Sequence, residues 1–375
     1  MQESYLIHTL DLTNFKRYRS GRFQFGPGLN IITGKNGVGK TSILDGIRLL
    51  VFGKVYFSPS DKSCISHGEN FLRASAQINN TSEESYKLVA KIQVSKSKVL
   101  EMDDKKITRL SDYVGTFLSV CISPDDILLV NGQSADRREF LDQAIVQLDK
   151  KYTQNLIEYN KIVKHRNALL KRFLKEDRFD DSMLLAYDQK MIELAPYISE
   201  SRNEFMKEFG AYFQRVYQDI SPEKEEVLLR YDSKLLVQSM ADLIADYRMK
   251  DRMSGRSNVG IHKDELSMEL NGRSIKTYGS QGQIKSFVFA LKIALFEYFL
   301  AKTNKLPILL LDDMFDKLDQ SRVEKILKQL NENWGGQVFI TDTDKDRIIK
   351  FVVDGGKNCK HLHISEDQSI EYIDV

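Results

Sequence analysis

A glycine-rich segment of eight residues limits the possible folds of this chain more than any other feature of its sequence. The segment is Gly34-Lys35-Asn36-Gly37-Val38-Gly39-Lys40-Thr41, and it matches the pattern GxxxxGK[ST] of phosphate-binding loops. The apolar run at 29–33 predicts a buried strand before it, and residues 42–50 predict a helix after it. Glycines at these positions let successive N–H groups point at a triphosphate beside the positive end of a helix. All eight residues are therefore candidate ligands of a nucleoside triphosphate.

Two adjacent carboxylates follow a second buried run, at residues 308–311. Asp312, at the end of that predicted strand, is placed to hold Mg²⁺ together with the Thr41 hydroxyl. Asp313 is placed to orient the attacking water or to accept its proton, which makes it the candidate catalytic residue. Lys40 would reach the terminal phosphates. The sequence thus predicts ATP and Mg²⁺ as cofactors.

Three smaller signals are assigned to the same site. Ser280-Gln281-Gly282-Gln283 immediately precedes a predicted helix, so Ser280, Gly282 and Gln283 are candidate ATP ligands at a helix N-terminus. An ordinary helix cap is the alternative interpretation. Thr341-Asp342-Thr343 ends a predicted strand, where a residue that senses the γ-phosphate is expected. Leu318-Asp319 is expected beside the nucleotide.

Composition is that of an ordinary globular protein. The 375 residues are 42% hydrophobic and 29% charged, and the length predicts two or three domains. A net charge of +2 is too small to indicate a nucleic-acid binder, so only local clusters of basic residues can indicate one. Three scattered cysteines suit a reducing compartment. With no signal peptide and no apolar run near the roughly 20 residues of a membrane span, we predict a soluble, cytoplasmic protein without a membrane partner.

The order of predicted elements divides the chain. Strand-like alternation before residue 94 returns near residue 264, and a helix at 320–333 and strands at 337–341 and 370–374 follow. Between them lie two long amphipathic helices, of which the second, at 182–219, is expected to be interrupted at Pro196. We predict an α/β ATPase head of the ATP-binding-cassette type, with a mixed sheet and flanking helices, from residues 1–120 and 240–375. A helical arm domain of residues 121–239 interrupts this head.

Two further histidines lie close together in the sequence near the end of the chain. His361 and His363 share one face of a predicted strand, and a surface position is expected for both, with a metal site as the alternative.

Longer motifs carry a family resemblance. The phosphate loop, the Ser-x-Gly-Gln cap and the acidic strand end, in this order, resemble the ATP-binding-cassette heads, in which the cap of one subunit closes on the nucleotide of another. Besides the loop and residues 309–313, the distinctive stretches are residues 12–18, 123–126, 137–142, 159–170, 260–264 and 278–283. With these stretches, nearly the whole chain more specifically resembles the RecF family of bacterial DNA replication and repair proteins, which have SMC-like heads.

The resemblance implies a DNA repair ATPase that forms an ATP-dependent homodimer. It would bind single- and double-stranded DNA at single-strand gaps and junctions, and use weak, DNA-dependent hydrolysis as a dimer switch. With RecO and RecR partners it would load the recombinase, in recombinational repair, replication restart and the SOS response. Lys16, Arg17, Lys164 and Arg166 are the candidate DNA ligands. They belong to three basic clusters, for which solvated faces are the alternative: Lys16, Arg17 and Arg19; Lys161, Lys164, Arg166, Lys171 and Arg172; Arg248, Lys250, Arg252 and Arg256.

Other classes of protein fit less well. A transporter subunit would need a membrane partner, and it lacks a helical insertion of this size. Chromosome-structuring ATPases carry hundreds of coiled-coil residues, whereas no sustained heptad is present here. The ATPase of a phage-defence or other SMC-like system is the alternative that we retain, and an ATP-gated clamp that does not hydrolyse ATP also stays open.

Overall fold

The computed structural model describes residues 2–176, 179–221, 225–313, 335–344 and 359–374. The chain divides into two compact units, Met1–Asp126 with Lys285–Val375 and Ile127–Ile284. The helix predicted at 320–333 and the position predicted for Leu318-Asp319 lie outside the described residues. Within the described ranges, none of the helices is long and apolar enough to cross a membrane.

The first unit contains most of the strands. They are β1 Glu3–Phe15, β2 Tyr18–Gln24, β3 Leu29–Thr33, β4 Phe71–Asn80, β5 Ser85–Gln93, β6 Val99–Met102, β7 Lys105–Lys106, β8 Ser119–Ile122, β12 Lys305–Leu306, β13 Ile308–Leu311, β14 Val338–Asp342, β15 Cys359–Ile364 and β16 Ile370–Asp374. Helix α1 Lys40–Phe52 and most of helix α8 Gln281–Thr303 also belong to this unit.

Two sheets organise the described part of this unit. One has the order β12-β1-β4-β5-β6-β7, with β2 also paired to β1, and its pairs are antiparallel except for β1 with β12. The other has the order β16-β15-β3-β14-β13-β8 and is parallel except for β16. Strand β13 is a short, continuously apolar run, and β3 is buried at four of its five positions, as expected for strands covered on both faces. Because β14 lies between them, the carboxyl ends of β3, β14 and β13 meet at one edge, where ligands bind to open parallel sheets.

The second unit is mainly helical. Its helices are α2 Leu128–Asn131, α3 Ser134–Ile145, α4 Lys150–Glu176, α5 Ser182–Ile220, α6 Met240–Ser254 and α7 Ile275–Tyr278, and its strands are β9 Val227–Asp232, β10 Glu265–Leu270 and β11 Arg273–Ser274. Strand β10 pairs antiparallel with β9 on one side and β11 on the other. The second unit therefore contains a three-stranded sheet in addition to its helices.

The arm differs from the sequence prediction in two respects. It extends to Ile284 rather than to residue 239, because β10 pairs with β9 and so belongs to the sheet of the second unit. Helix α5 also continues through Pro196, where an interruption was predicted. Leu194, Ala195 and Ile198 are buried on either side of this proline, so packing holds both halves in one helix although one N–H is missing.

Candidate nucleotide-binding site

The phosphate loop connects β3 to α1 through glycines whose conformations exclude other residues. Gly34 has φ +150°, and a Cβ there would collide with the carbonyl oxygen of Ile364. Gly39 has φ +116° and forms the N-terminal boundary of α1, and a Cβ there would lie 2.8 Å from the hydroxyl of Tyr18. Residues with a Cβ rarely adopt these φ angles. The loop therefore delivers the N-terminus of α1 to the sheet edge where β3 ends.

Lys40 places a buried positive charge inside this loop. Its side-chain Nζ donates to the carbonyl oxygens of Gly34, at 2.8 Å, and Lys35, at 3.2 Å. The side chain of Lys35 instead forms an exposed ion pair with Glu366. Of the two lysines, Lys40 is thus the one whose ammonium is held where terminal phosphates would lie, and Lys35 is left to contribute its backbone.

The structure brings Asp312 to Thr41, the second residue of helix α1. The Thr41 hydroxyl donates to Oδ1 of Asp312 at 3.0 Å, and the Thr341 hydroxyl donates to the same oxygen at 2.7 Å. Asp312 is buried, it makes no ion pair with any described residue, and burial raises its pKa. A hydroxyl beside a buried carboxylate that has no cationic partner among the described residues matches the oxygen ligands that Mg²⁺ prefers. Thr41 and Asp312 therefore fit a Mg²⁺ ion.

Asp313, the candidate catalytic residue, adopts an uncommon backbone conformation. Its φ is +46°, in the left-handed region that few residues other than glycine occupy. Its backbone N–H donates to the hydroxyl of Thr341 at 3.0 Å. Thr341 thus contacts both acidic residues, a role that the sequence pattern missed because it depends on β14 lying between β3 and β13.

Asp45 is a buried acidic residue that none of the sequence motifs indicated. It lies on α1, is fully buried and accepts hydrogen bonds from the backbone N–H groups of Tyr56 and Phe57. It also forms an ion pair with Lys16 at 2.9 Å. The ammonium of Lys16 is therefore engaged inside the first unit, which does not support the predicted DNA contact. Arg17 is exposed, but its guanidinium donates to the Gly37 carbonyl of the phosphate loop.

The predicted DNA contact at Arg166 is wrong. Its side chain is buried, with Nε donating to Asp188 at 2.7 Å and Nη1 donating to Asp251 at 2.6 Å. The reason is its position on α4, where it shares the buried face with Val163 and Leu170. Lys164, two positions earlier, is exposed and stays a candidate.

Ser280 and Gln283 form a capping box at the start of α8. The backbone N–H of Gln283 donates to the Ser280 hydroxyl oxygen at 3.2 Å, and the backbone N–H of Ser280 donates to Oε1 of Gln283 at 2.8 Å. Ser280 is exposed, and Gly282 forms part of the first turn. The cap is therefore present, and a role as an ATP ligand is a separate proposal.

The expected surface position of His361 is also wrong. Strand β15 lies between β3 and β16, and the imidazole of His361 is fully buried. Its Nε2 lies 2.7 Å from the Thr33 hydroxyl, which is also 3.0 Å from Nδ1 of His363. Both histidines thus contact the last residue before the phosphate loop.

An ATPase head of the ATP-binding-cassette type is the class of protein that this sheet order and this phosphate loop define. The family model of the RecF/RecN/SMC N terminal domain matches residues 6–354. The chain belongs to the RecF family, and a protein of Flavobacterium johnsoniae named DNA replication and repair protein RecF is 40% identical over 346 residues, 92% of this chain and 96% of that protein. A Porphyromonas gingivalis protein of the same name is 36% identical over 364 residues, 97% of this chain and 99% of that protein.

Solved structures agree with this assignment. A structure described as the recombination mediator protein RecF-ATPrS in the RecFOR pathway superimposes with a TM-score of 0.88 at 26% identity, and the match covers 100% of this chain and 99% of that one. A structure described as the SmcHead bound to the C-winged helix domain of ScpA gives 0.58 at 15% identity, over 98% and 97% of the two chains, and shows similarity of fold. The predicted fold class and family resemblance are confirmed.

Proposed function

We propose that this chain is a DNA repair ATPase that dimerises around ATP and, in that state, binds DNA at single-strand gaps and junctions. Hydrolysis, weak and DNA-dependent, opens the dimer. Acting with mediators of the RecO and RecR type, the dimer promotes loading of the recombinase. The proposal covers recombinational repair, replication restart and the SOS response.

One observation carries the ATPase part of this proposal. The buried carboxylate of Asp312 accepts hydrogen bonds from Thr41, at the end of the phosphate loop, and from Thr341. Mg²⁺, when bound, supplies charge neutralisation at the phosphates. Lys40 binds the terminal phosphates, Thr41 and Asp312 hold the metal, and Asp313 orients the attacking water or accepts its proton.

The relatives support the repair part. Proteins that align along nearly their full length are named DNA replication and repair proteins, and the most similar folds include a recombination mediator described with ATP. The RecFOR pathway in that description supports partners of the RecO and RecR type. These names favour repair over the phage-defence alternative.

The dimer proposal concerns Ser280. An exposed hydroxyl at the N-terminus of the 23-residue helix α8 is suited to bind an anion, and in the dimer it would meet the γ-phosphate of the second subunit. ATP that contacts both subunits only in the closed state stabilises that state.

Light scattering tests the proposal. We expect a monomer without nucleotide and a dimer with ATP and Mg²⁺ in the Asp313→Asn background, with tighter binding to gapped DNA in the dimer. Ser280→Arg should abolish both effects while ATP binding persists. Ser82→Arg, the same change at an exposed turn of the first unit, is the control and should behave like the parent. If Ser280→Arg still dimerises with ATP and binds DNA equally well, the dimer mechanism is wrong.

A further inference from the structure

A loop of the second unit, residues 255–263, lies along helix α4. Gly255 ends α6 with φ +63°, and a Cβ there would lie 3.6 Å from Cα of Lys171. Further on, the backbone N–H of Ser257 donates to Oδ1 of Asn167 at 2.7 Å, and Gly260 packs directly against the hydroxyl of Tyr159. The loop therefore follows α4 backwards from residue 171 to residue 159, about 18 Å along the helix.

This loop is held by buried polar groups. Asp251 accepts from Arg166 and, through Oδ1, from the backbone N–H of Asn258 at 2.9 Å. The Asn258 side chain donates to the carbonyl oxygen of Arg256 at 2.9 Å, and His262 lies 3.2 Å from the Ser257 carbonyl. The loop conformation, and with it the position of each exposed side chain, is thus set before any ligand arrives.

Six of the exposed side chains along this line are cationic. Lys164, Lys171 and Lys175 are spaced by seven and four residues, which places them on one face of α4. Lys250 at the end of α6, and Arg256 and Lys263 on the loop, are also exposed. These six residues, the α4–loop surface, make no ion pair within the described part of the chain.

The described carboxylates nearby do not neutralise this surface, because each is paired with another cation. Asp188 and Asp251 hold the buried Arg166, and Asp181 pairs with Arg248. Partial burial and the positive charges of Arg256 and Arg138 lower the pKa of Lys263. Uncompensated cations that repel one another favour the binding of an anionic partner.

We propose that the α4–loop surface binds the phosphate backbone of DNA. Lys164 and Lys175 lie about 16 Å apart along α4, close to five steps of 3.4 Å along one DNA strand. Contacts of this kind are independent of base sequence and release counterions, so they make affinity fall steeply with salt. The inference rests on the proposed DNA-binding function and assigns it to a surface of the second unit.

The test is the salt dependence of DNA binding by the full-length protein with ATP and Mg²⁺. Two double variants, Lys171→Ala with Arg256→Ala and Lys164→Ala with Lys263→Ala, are titrated with duplex DNA that contains a single-strand gap. Each should reduce the slope of log K against log salt by about 1.8, because two phosphate contacts are lost. If the affinity extrapolated to 1 M salt is unchanged, the dissociation constant at 0.1 M rises roughly 60-fold.

Lys207→Ala is the matched control. It removes an exposed lysine from α5. Lys207 lies five residues after Arg202, whose Nε donates to Tyr152 near the start of α4. Its slope should equal that of the wild type, whereas Lys171→Ala alone should lower the slope by about 0.9. Thermal melts confirm that each variant is folded.

The outcomes separate this inference from the proposed function. Wild-type slope and affinity in both double variants would overturn the α4–loop surface and leave the proposed function standing. A wild-type protein that does not bind gapped DNA with ATP would overturn both. Normal DNA binding combined with lost binding to a RecO or RecR type mediator would show that the surface binds a protein instead.

Discussion

The hydroxyl of Thr341 donates to Oδ1 of Asp312 across 2.7 Å. Through this bond, strand β14 fixes the acidic residue that follows its neighbour β13. Because β14 also pairs with β3 on its other side, the same strand sets the distance between the acidic pair and the phosphate loop. The two halves of the nucleotide site, about 270 residues apart in sequence, are thereby joined by one strand.

The two acidic residues should separate binding from hydrolysis. Asp313→Asn is expected to bind ATP normally and to hydrolyse it at least about 100-fold more slowly, the usual scale for losing a positioned base. Asp312→Asn should instead abolish the Mg²⁺ dependence of ATP binding. Nucleotide titrations with Mg²⁺ and with EDTA, together with single-turnover assays, measure both effects. Unchanged turnover in Asp313→Asn would place water activation at another residue.

Substitutions of the two lysines of the loop should have very different effects on ATP affinity. Lys40→Met removes the buried ammonium and should abolish tight ATP binding. Lys35→Ala removes only an exposed ion pair with Glu366, so its affinity should stay within about twofold of the wild type. Calorimetric titration with ATP measures both variants. Equal affinities would show that the assigned loop is not the nucleotide site.

Arg166 should stabilise the second unit. Arg166→Met leaves Asp251 buried without its counter-charge and Asp188 with Arg248 as its remaining ionic partner, and breaking such a buried pair costs about 3–5 kcal/mol of the free energy of unfolding. Lys164→Ala, on the exposed face of the same helix, should change it by less than about 0.5 kcal/mol. Urea denaturation compares the two. A loss below about 1 kcal/mol in Arg166→Met would mean that the buried pairs contribute little.

His262 should make stability depend on pH. Burial lowers its pKa to about 4 from the ordinary value of 6.5, and a neutral ring with its proton on Nε2 satisfies both Tyr159 and the Ser257 carbonyl. The unfolded chain binds a proton below pH 6.5 and the folded chain only near pH 4. The free energy of unfolding should therefore fall as pH drops from 6.5 to 4, by about 1.4 kcal/mol per pH unit.

Urea denaturation between pH 7 and pH 4 measures this effect. The difference in the free energy of unfolding between the wild type and His262→Gln should shrink as the pH falls. A difference that stays constant over this range would show that His262 does not titrate on unfolding.

The sequence predicted those parts of the site that are formed by residues adjacent to one another in the chain. The phosphate loop is continuous in sequence, and Asp312 and Asp313 directly follow their strand, so motif and flanks were sufficient. Thr341 was expected only as a γ-phosphate sensor, since its contacts require the strand order β3-β14-β13. Arg166 was predicted to contact DNA because its charge suggested an exposed side chain. It is instead buried, because Asp188 and Asp251, both distant in sequence, neutralise its charge.

Some motif residues that indicated the family have a structural role. The Arg202 guanidinium is buried and pairs with Asp142 at 2.8 Å and with Asp264 at 3.0 Å. Both aspartates belong to stretches that carried the resemblance, 137–142 and 260–264. A single sequence does not distinguish such internal partners from ligand-binding residues, because the pairing of α3, α5 and the segment before β10 is not a local property.

The position of β3 has a consequence for synthesis on the ribosome. Both of its partners, β14 and β15, begin about 300 residues after β3 ends, which corresponds to roughly 15–60 s of translation at 5–20 residues per second. The second unit is continuous in sequence, so it can fold before β14 and β15 are available to pair with β3. Throughout that interval β3 has two unpaired edges, which are the kind of surface that aggregates. We therefore expect the nascent head to depend on chaperone protection until its last strands emerge.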